Sequence, residues 1–146
     1  MKSFLAALGI GLLATTALAG GDTSANPEAS VYFTNLADGD TVSSPVTVIF
    51  GLSGMGVAPA GTEAENTGHH HLLVDRPPMG QGVDGAEELA NPLPADDHHR
   101  HFGKGQTEVT LDLAPGKHTL QLVMGDHSHV PHATPVVSEV ITIEVK

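Results

Sequence analysis

The chain has 146 residues, with 17 Asp+Glu against 6 Lys+Arg, a formal charge of −11 at pH 7, no cysteine and no tryptophan. This much acid on a chain with room for one core excludes binding to phosphate backbones or anionic lipid, so nucleic acid is not an expected partner and cations are the natural ligand class. Without cysteine there is no disulfide, thiolate metal site or lipid-modified cysteine.

Lys2 precedes an uncharged apolar run, Phe4 to Leu18, that ends in Ala17-Leu18-Ala19. This is the pattern of a secretory signal with cleavage after Ala19, so residues 1–19 are expected to be absent from the mature protein, which has no membrane span and is periplasmic or secreted. Residues 20–30 are small and polar and read as a flexible lead-in. A single domain is expected over residues 31–146.

Val31-Tyr32-Phe33 begins an extended segment, and Ala37-Asp38-Gly39-Asp40 is a turn. Val46, Val48, Phe50 and Leu52 then alternate with Thr47, Ile49 and Gly51, the period of a strand. After a Gly- and Pro-punctuated loop, His69 to Asp75 is extended again. Residues 76–104 carry four prolines and form a long connection with at most a helical turn around Ala86 to Leu89. Connections longer than about 15 residues in a compact domain are usually functional or disordered. Val109, Leu111 and Leu113, then Pro115-Gly116, then Leu120, Leu122 and Met124 predict a hairpin. A loop over 125–135 leads to the last strand, where Glu139, Ile141, Ile143 and Val145 alternate with Val140, Thr142 and Glu144.

Six strands without a long helical period predict an all-β fold, an immunoglobulin-like or cupredoxin-like antiparallel β-sandwich with long loops. The absent Cys pair and Trp exclude the antibody-domain core, leaving Val, Leu and Ile to supply most of the buried area.

Longer motifs carry a resemblance: Gly68-His69-His70-His71-Leu72-Leu73-Val74-Asp75, His101-Phe102-Gly103-Lys104-Gly105-Gln106-Thr107-Glu108, Pro115-Gly116-Lys117-His118-Thr119-Leu120 and Val130-Pro131-His132. With Asn35 to Asp40 and Gly54 to Gly61, they resemble the secreted bacterial domain-of-unknown-function family numbered 4399, over roughly residues 31–146. The resemblance implies a secreted domain and assigns no activity, so function has to come from site chemistry.

Ten histidines stand out beside a single tyrosine. They cluster as His69-His70-His71, as His98, His99 and His101, and as His127, His129 and His132, with His118 apart. In an extended chain, residues two apart project to one side roughly 6–7 Å from each other, so His69 with His71, and His99 with His101, form chelating pairs. His127 and His129 have the same spacing in the following loop. In a sandwich the three groups lie at one end and converge. A site of several neutral imidazoles, with Asp75, Asp97 or Asp126 as further donors, suits copper or zinc. The expected ligands are His69, His71, His99, His101, His127, His129 and His132. Copper is slightly preferred over zinc because it binds nitrogen sites more tightly and is commonly handled in the envelope. His70 shares parity with Leu72 and Val74 and turns inward; His118 is a packing residue at a strand end; His98 has the opposite parity to His99. Met55, Met79 and Met124 read as packing, and the acids lack calcium-loop spacing.

No nucleophile elbow, phosphate loop or His-Glu-x-x-His helix is present, so no catalytic residue is assigned. A metal-assisted hydrolase with Asp97 or Glu65 as base is a lesser possibility. The expected function is a periplasmic or secreted protein that captures, buffers or delivers copper or zinc, with affinity falling as pH drops through about 6.5. The alternative is a non-catalytic module that docks an envelope protein or glycan through a pH-responsive histidine surface.

Overall fold

The computed structural model describes residues 20–146, so the expected signal, residues 1–19, lies outside the described residues. In chain order the elements are β1 (Ser30–Phe33), β2 (Thr41–Val42), β3 (Val46–Ser53), β4 (Gly56–Val57), β5 (Thr67–Val74), α1 (Gly85–Ala90), β6 (His99–His101), β7 (Glu108–Leu111), β8 (Gly116–Gly125) and β9 (Ile141–Val145). Among the described residues no helix is long and apolar enough to cross a membrane.

The strands form two sheets joined by long loops. One has the order β1-β3-β7; the other has the order β2-β9-β8-β5-β4, with β6 also pairing β5. Alternation decides the faces. Val46, Val48 and Phe50 of β3, Leu72 and Val74 of β5, Leu120, Leu122 and Met124 of β8, and Ile141, Ile143 and Val145 of β9 join one core shared by both sheets. Each such side chain contributes about 1.5–3 kcal/mol on burial, and aliphatic residues do supply most of this core.

Two details differ from the sequence expectation. Residues flanking Pro115-Gly116 do not form a hairpin: β7 pairs β3 in the smaller sheet, whereas β8 pairs β5 and β9 in the larger one. Alternation identifies a strand but not its partner, and here the Pro115-Gly116 connection carries the chain from one sheet to the other. The pairing is also not wholly antiparallel. β2 with β9 and β4 with β5 run parallel; each adds a two-residue edge strand delivered by a loop, for which no hairpin geometry is needed.

The outer face of the larger sheet is covered as well. Leu73 of β5 and Val123 of β8 point away from the main core and pack with Met79, Leu89 and Leu93 from the long connection. Gln121 fastens this cover: its Oε1 accepts the Met79 N–H at 2.8 Å and its Nε2 donates to Ser138 O at 3.0 Å.

Candidate metal centre

The histidine triplet sits inside β5, and alternation sends its members to opposite faces. His70 goes inward, its ring 5.1 Å from that of Phe50, which lies 4.8 Å from that of Phe102. His69 and His71 go outward with Leu73, beneath loops that leave both fully buried. Register then supplies a third imidazole, because His101 of β6 is the antiparallel partner of His71 and directly opposed residues share a face. The fourth comes from the return loop after β8. Gly125 pairs with Pro131 across that loop, the Asp126 N–H donates to Val130 O at 2.8 Å and the His129 N–H to Asp126 O at 3.0 Å. His129 sits in the left-handed region at φ 69°, a conformation that costs an L-residue about 1–2 kcal/mol. The Leu93 N–H, donating to His129 O at 2.9 Å, helps hold it there.

Two glycines make room for the rings. A Cβ at Gly125, opposite His69, would stand 2.7 Å from His71 Nε2, and one at Gly103 would stand 2.3 Å from His101 Cε1.

His69, His71, His101 and His129 each present one ring nitrogen, and these nitrogens all lie within 4.8 Å of one another. His71 Nε2 is 3.0 Å from His69 Nε2, which is 3.1 Å from His129 Nδ1. Two nitrogens bound tetrahedrally to zinc at 2.0–2.1 Å stand about 3.3 Å apart, so three of the four are already near the spacing of ligands to one ion. Hydrogen bonding alone serves this geometry poorly: His69 Nε2 faces two other nitrogens with either a single proton or a single lone pair. His69 Nδ1, His71 Nδ1 and His101 Nε2 are buried without a hydrogen-bond partner among the described residues. Orphaned buried groups of this kind cost about 1–3 kcal/mol each. The Nδ1 atoms of His69 and His71 are not the nitrogens that face the other rings; it is His69 Nε2, His71 Nε2 and His129 Nδ1 whose lone pairs a cation at the centre would take up, and by that approach the cluster can coordinate a metal ion.

Burial also favours the neutral form of His69, His71 and His101. Desolvation, reinforced by His129 and His101, lowers the His69 pKa from its ordinary value to about 4. Desolvation and the neighbouring imidazoles lower that of His71 to about 2, and desolvation with His129 lowers that of His101. Neutral imidazole is the ligating form.

Of the seven expected ligands, the structure brings four into this group. His99 shares the parity of His101 but lies opposite Leu73, two pairs further along; its Nε2 is 3.2 Å from Glu88 Oε1 and its Nδ1 3.5 Å from Asp96 Oδ2, while Glu88 also pairs with Arg76. His127 lies outside the group, 3.9 Å from Glu63 and 4.0 Å from Asp126. His132 is fully buried beside Gly68, with Nε2 3.2 Å from Thr67 O. Neither acid considered as a base belongs to the group: Asp97 is exposed and pairs with Arg100 at 2.9 Å, and Glu65 is exposed. Gly103, Gly125 and Leu93 were not singled out by sequence reasoning. Gly125 ends the alternation of β8, but its place opposite His69 is a matter of register that the local sequence does not carry.

Residues 48–146 match the sequence model of the family described as Domain of unknown function (DUF4399). No curated protein matches the chain, and no solved structure matches it.

Proposed function

The chain belongs to the DUF4399 family, whose description assigns no activity, and we propose from the site itself that the protein is a metal-binding protein that captures, buffers or delivers copper or zinc through His69, His71, His101 and His129. The observation that carries this reading is the approach of four imidazole nitrogens to within 4.8 Å of one another, with two of the rings fully buried in a strand. A solvated histidine-rich surface would have no reason to bury rings facing each other at hydrogen-bond distance. All four donors are nitrogen, which suits copper and zinc and disfavours calcium or magnesium. Copper stands ahead of zinc by its greater affinity for nitrogen sites. We place this work in the periplasm or outside the cell, as the apolar leader before Gly20 suggests.

The group holds no carboxylate or hydroxyl that would serve as a general base, which favours holding and passing an ion over turning a substrate over. An interaction surface charged by histidine near pH 5 fits less well, since burial keeps His69 and His71 neutral there. The deciding experiment is elemental analysis of untagged protein purified at neutral pH, repeated on His69→Ala/His71→Ala. Copper or zinc near one equivalent in the wild type and little in the variant is the expected result. A metal-free wild type whose unfolding temperature is unmoved by added copper or zinc would overturn the reading.

A further inference from the structure

Residues 20–23 run alongside residues 131–133. The Gly20 N–H donates to Ala133 O at 2.9 Å, the Gly21 N–H to Pro131 O at 2.8 Å, and the Ala133 N–H to Thr23 O at 2.8 Å. At Gly20 this approach is open only to glycine, since a Cβ there would lie 1.8 Å from His132 O; at Gly21 a Cβ would lie 2.6 Å from Val130 Cγ1, a side chain that would have to turn aside. The segment delivers one side chain to the ligand loop, where Thr23 Oγ1 donates to Asp126 Oδ2 at 2.6 Å.

Asp126 is 4% exposed, and a carboxylate so enclosed has to be met by donors. Its Oδ1 accepts the N–H groups of Ser128 at 2.8 Å and Val130 at 3.0 Å. These two bonds bracket His129 and close the turn from which its ring reaches His69 Nε2 at 3.1 Å. Thr23 is the short partner of the other oxygen, which otherwise has His127 Nδ1 at 4.0 Å. Without the hydroxyl the carboxylate is free to rotate toward His127 or water, and rotation draws Oδ1 away from the two amides.

We propose that Thr23, delivered by the close approach of Gly20-Gly21, is a positioning residue of the ion site: its hydroxyl fixes the Asp126 carboxylate, which fixes the turn that aims His129. The inference rests on the reading of His129 as an ion ligand and adds a strap, more than 100 residues away in sequence, on which that ligand depends. Partners that orient a ligand in this way commonly alter metal affinity by 10–100-fold when removed.

The test is zinc and copper affinity, measured by competition with a chromophoric chelator, for the wild type, Thr23→Val, Thr23→Ser and Gly20→Ala, with Thr23→Val also made in a His129→Ala background. Thr23→Val keeps the shape and loses the donor, so affinity should fall about 10–100-fold. Thr23→Ser should restore it, and Gly20→Ala should repeat the loss by lifting the strap. In the His129→Ala background Thr23→Val should have no further effect, a result that general loosening of the fold would not give. Wild-type affinity in both Thr23→Val and Gly20→Ala, or an equal loss with His129 already absent, overturns the strap and leaves the ion site standing. A wild type that binds neither metal removes the ion site and the strap with it.

Discussion

At Gly125 a hydrogen atom stands where any side chain would meet the His71 ring, with an added Cβ only 2.7 Å from Nε2. The obstacle is the far end of a side chain, so Gly125→Ala is met by swinging the imidazole aside, at the 1–3 kcal/mol typical of overpacking. Because that same nitrogen faces the other ligands, the change should lower metal affinity by at least about tenfold while the ion-free protein still folds; chelator competition alongside thermal unfolding separates the two effects. His118 offers a second residue-level prediction. Its Nδ1 lies 2.8 Å from Asp75 Oδ2 and its Nε2 2.8 Å from Ala114 O. Burial alone would lower its pKa, but the Ala114 carbonyl and the Asp75 carboxylate, with Glu144 nearby, outweigh it and raise the value. A raised folded value means stability that is fully present below the unfolded pKa of about 6.5 and lost as pH climbs through the folded one. Thermal unfolding of the wild type against Asp75→Asn between pH 5 and 9 should show the difference in stability narrowing as pH rises.

At the scale of the element, β5 was the most legible part of the molecule. A period of two in His69 to Val74 is enough to send His70 toward Phe50 and to leave His69 and His71 together on the other face. The same parity did not separate His101 from His99, because both face outward and only the register of β6 on β5 puts one opposite His71 and the other opposite Leu73. Register between strands 30 residues apart is set by packing of the whole sheet, which a local pattern does not carry. The hairpin expectation at Pro115-Gly116 fails for the same reason. The connection between β5 and β6 was legible as important but not as to how. Its helix α1 has six residues, too few to persist by hydrogen bonding alone, so packing holds it: Leu89 is buried against the outer cluster with Leu73 and Val123, and Leu93 both joins that cluster and donates to His129 O. Leu89→Ala should therefore destabilise the protein by about 2–5 kcal/mol in denaturant unfolding. A value near zero would mean that the connection does not cover the sheet.

For the molecule as a whole, acid and metal act on the same rings. The folded pKa values of His69, His71 and His101 lie below the unfolded value, so the unfolded chain takes up protons first. Each of these histidines keeps its full contribution to stability above about pH 6.5, and loses it progressively as pH falls from there toward about 4, the folded value of His69. The ion-free protein should weaken across that window. The increment supplied by an ion behaves differently, since it depends on competition between metal and protons within the folded state. There His69 stays neutral down to about pH 4 and His71 further still, so the sequence expectation of a loss through pH 6.5, which assumed ordinary imidazoles, moves to lower pH. At a free ion concentration of 100 times Kd the increment is about 2.7 kcal/mol. Thermal unfolding with and without zinc at pH 7, 6, 5 and 4 should show the unfolding temperature falling in both series while the gap between them persists to about pH 5 and closes near pH 4. A gap that closes at pH 6 to 6.5 would mean that zinc is held elsewhere, and not by the buried pair in β5.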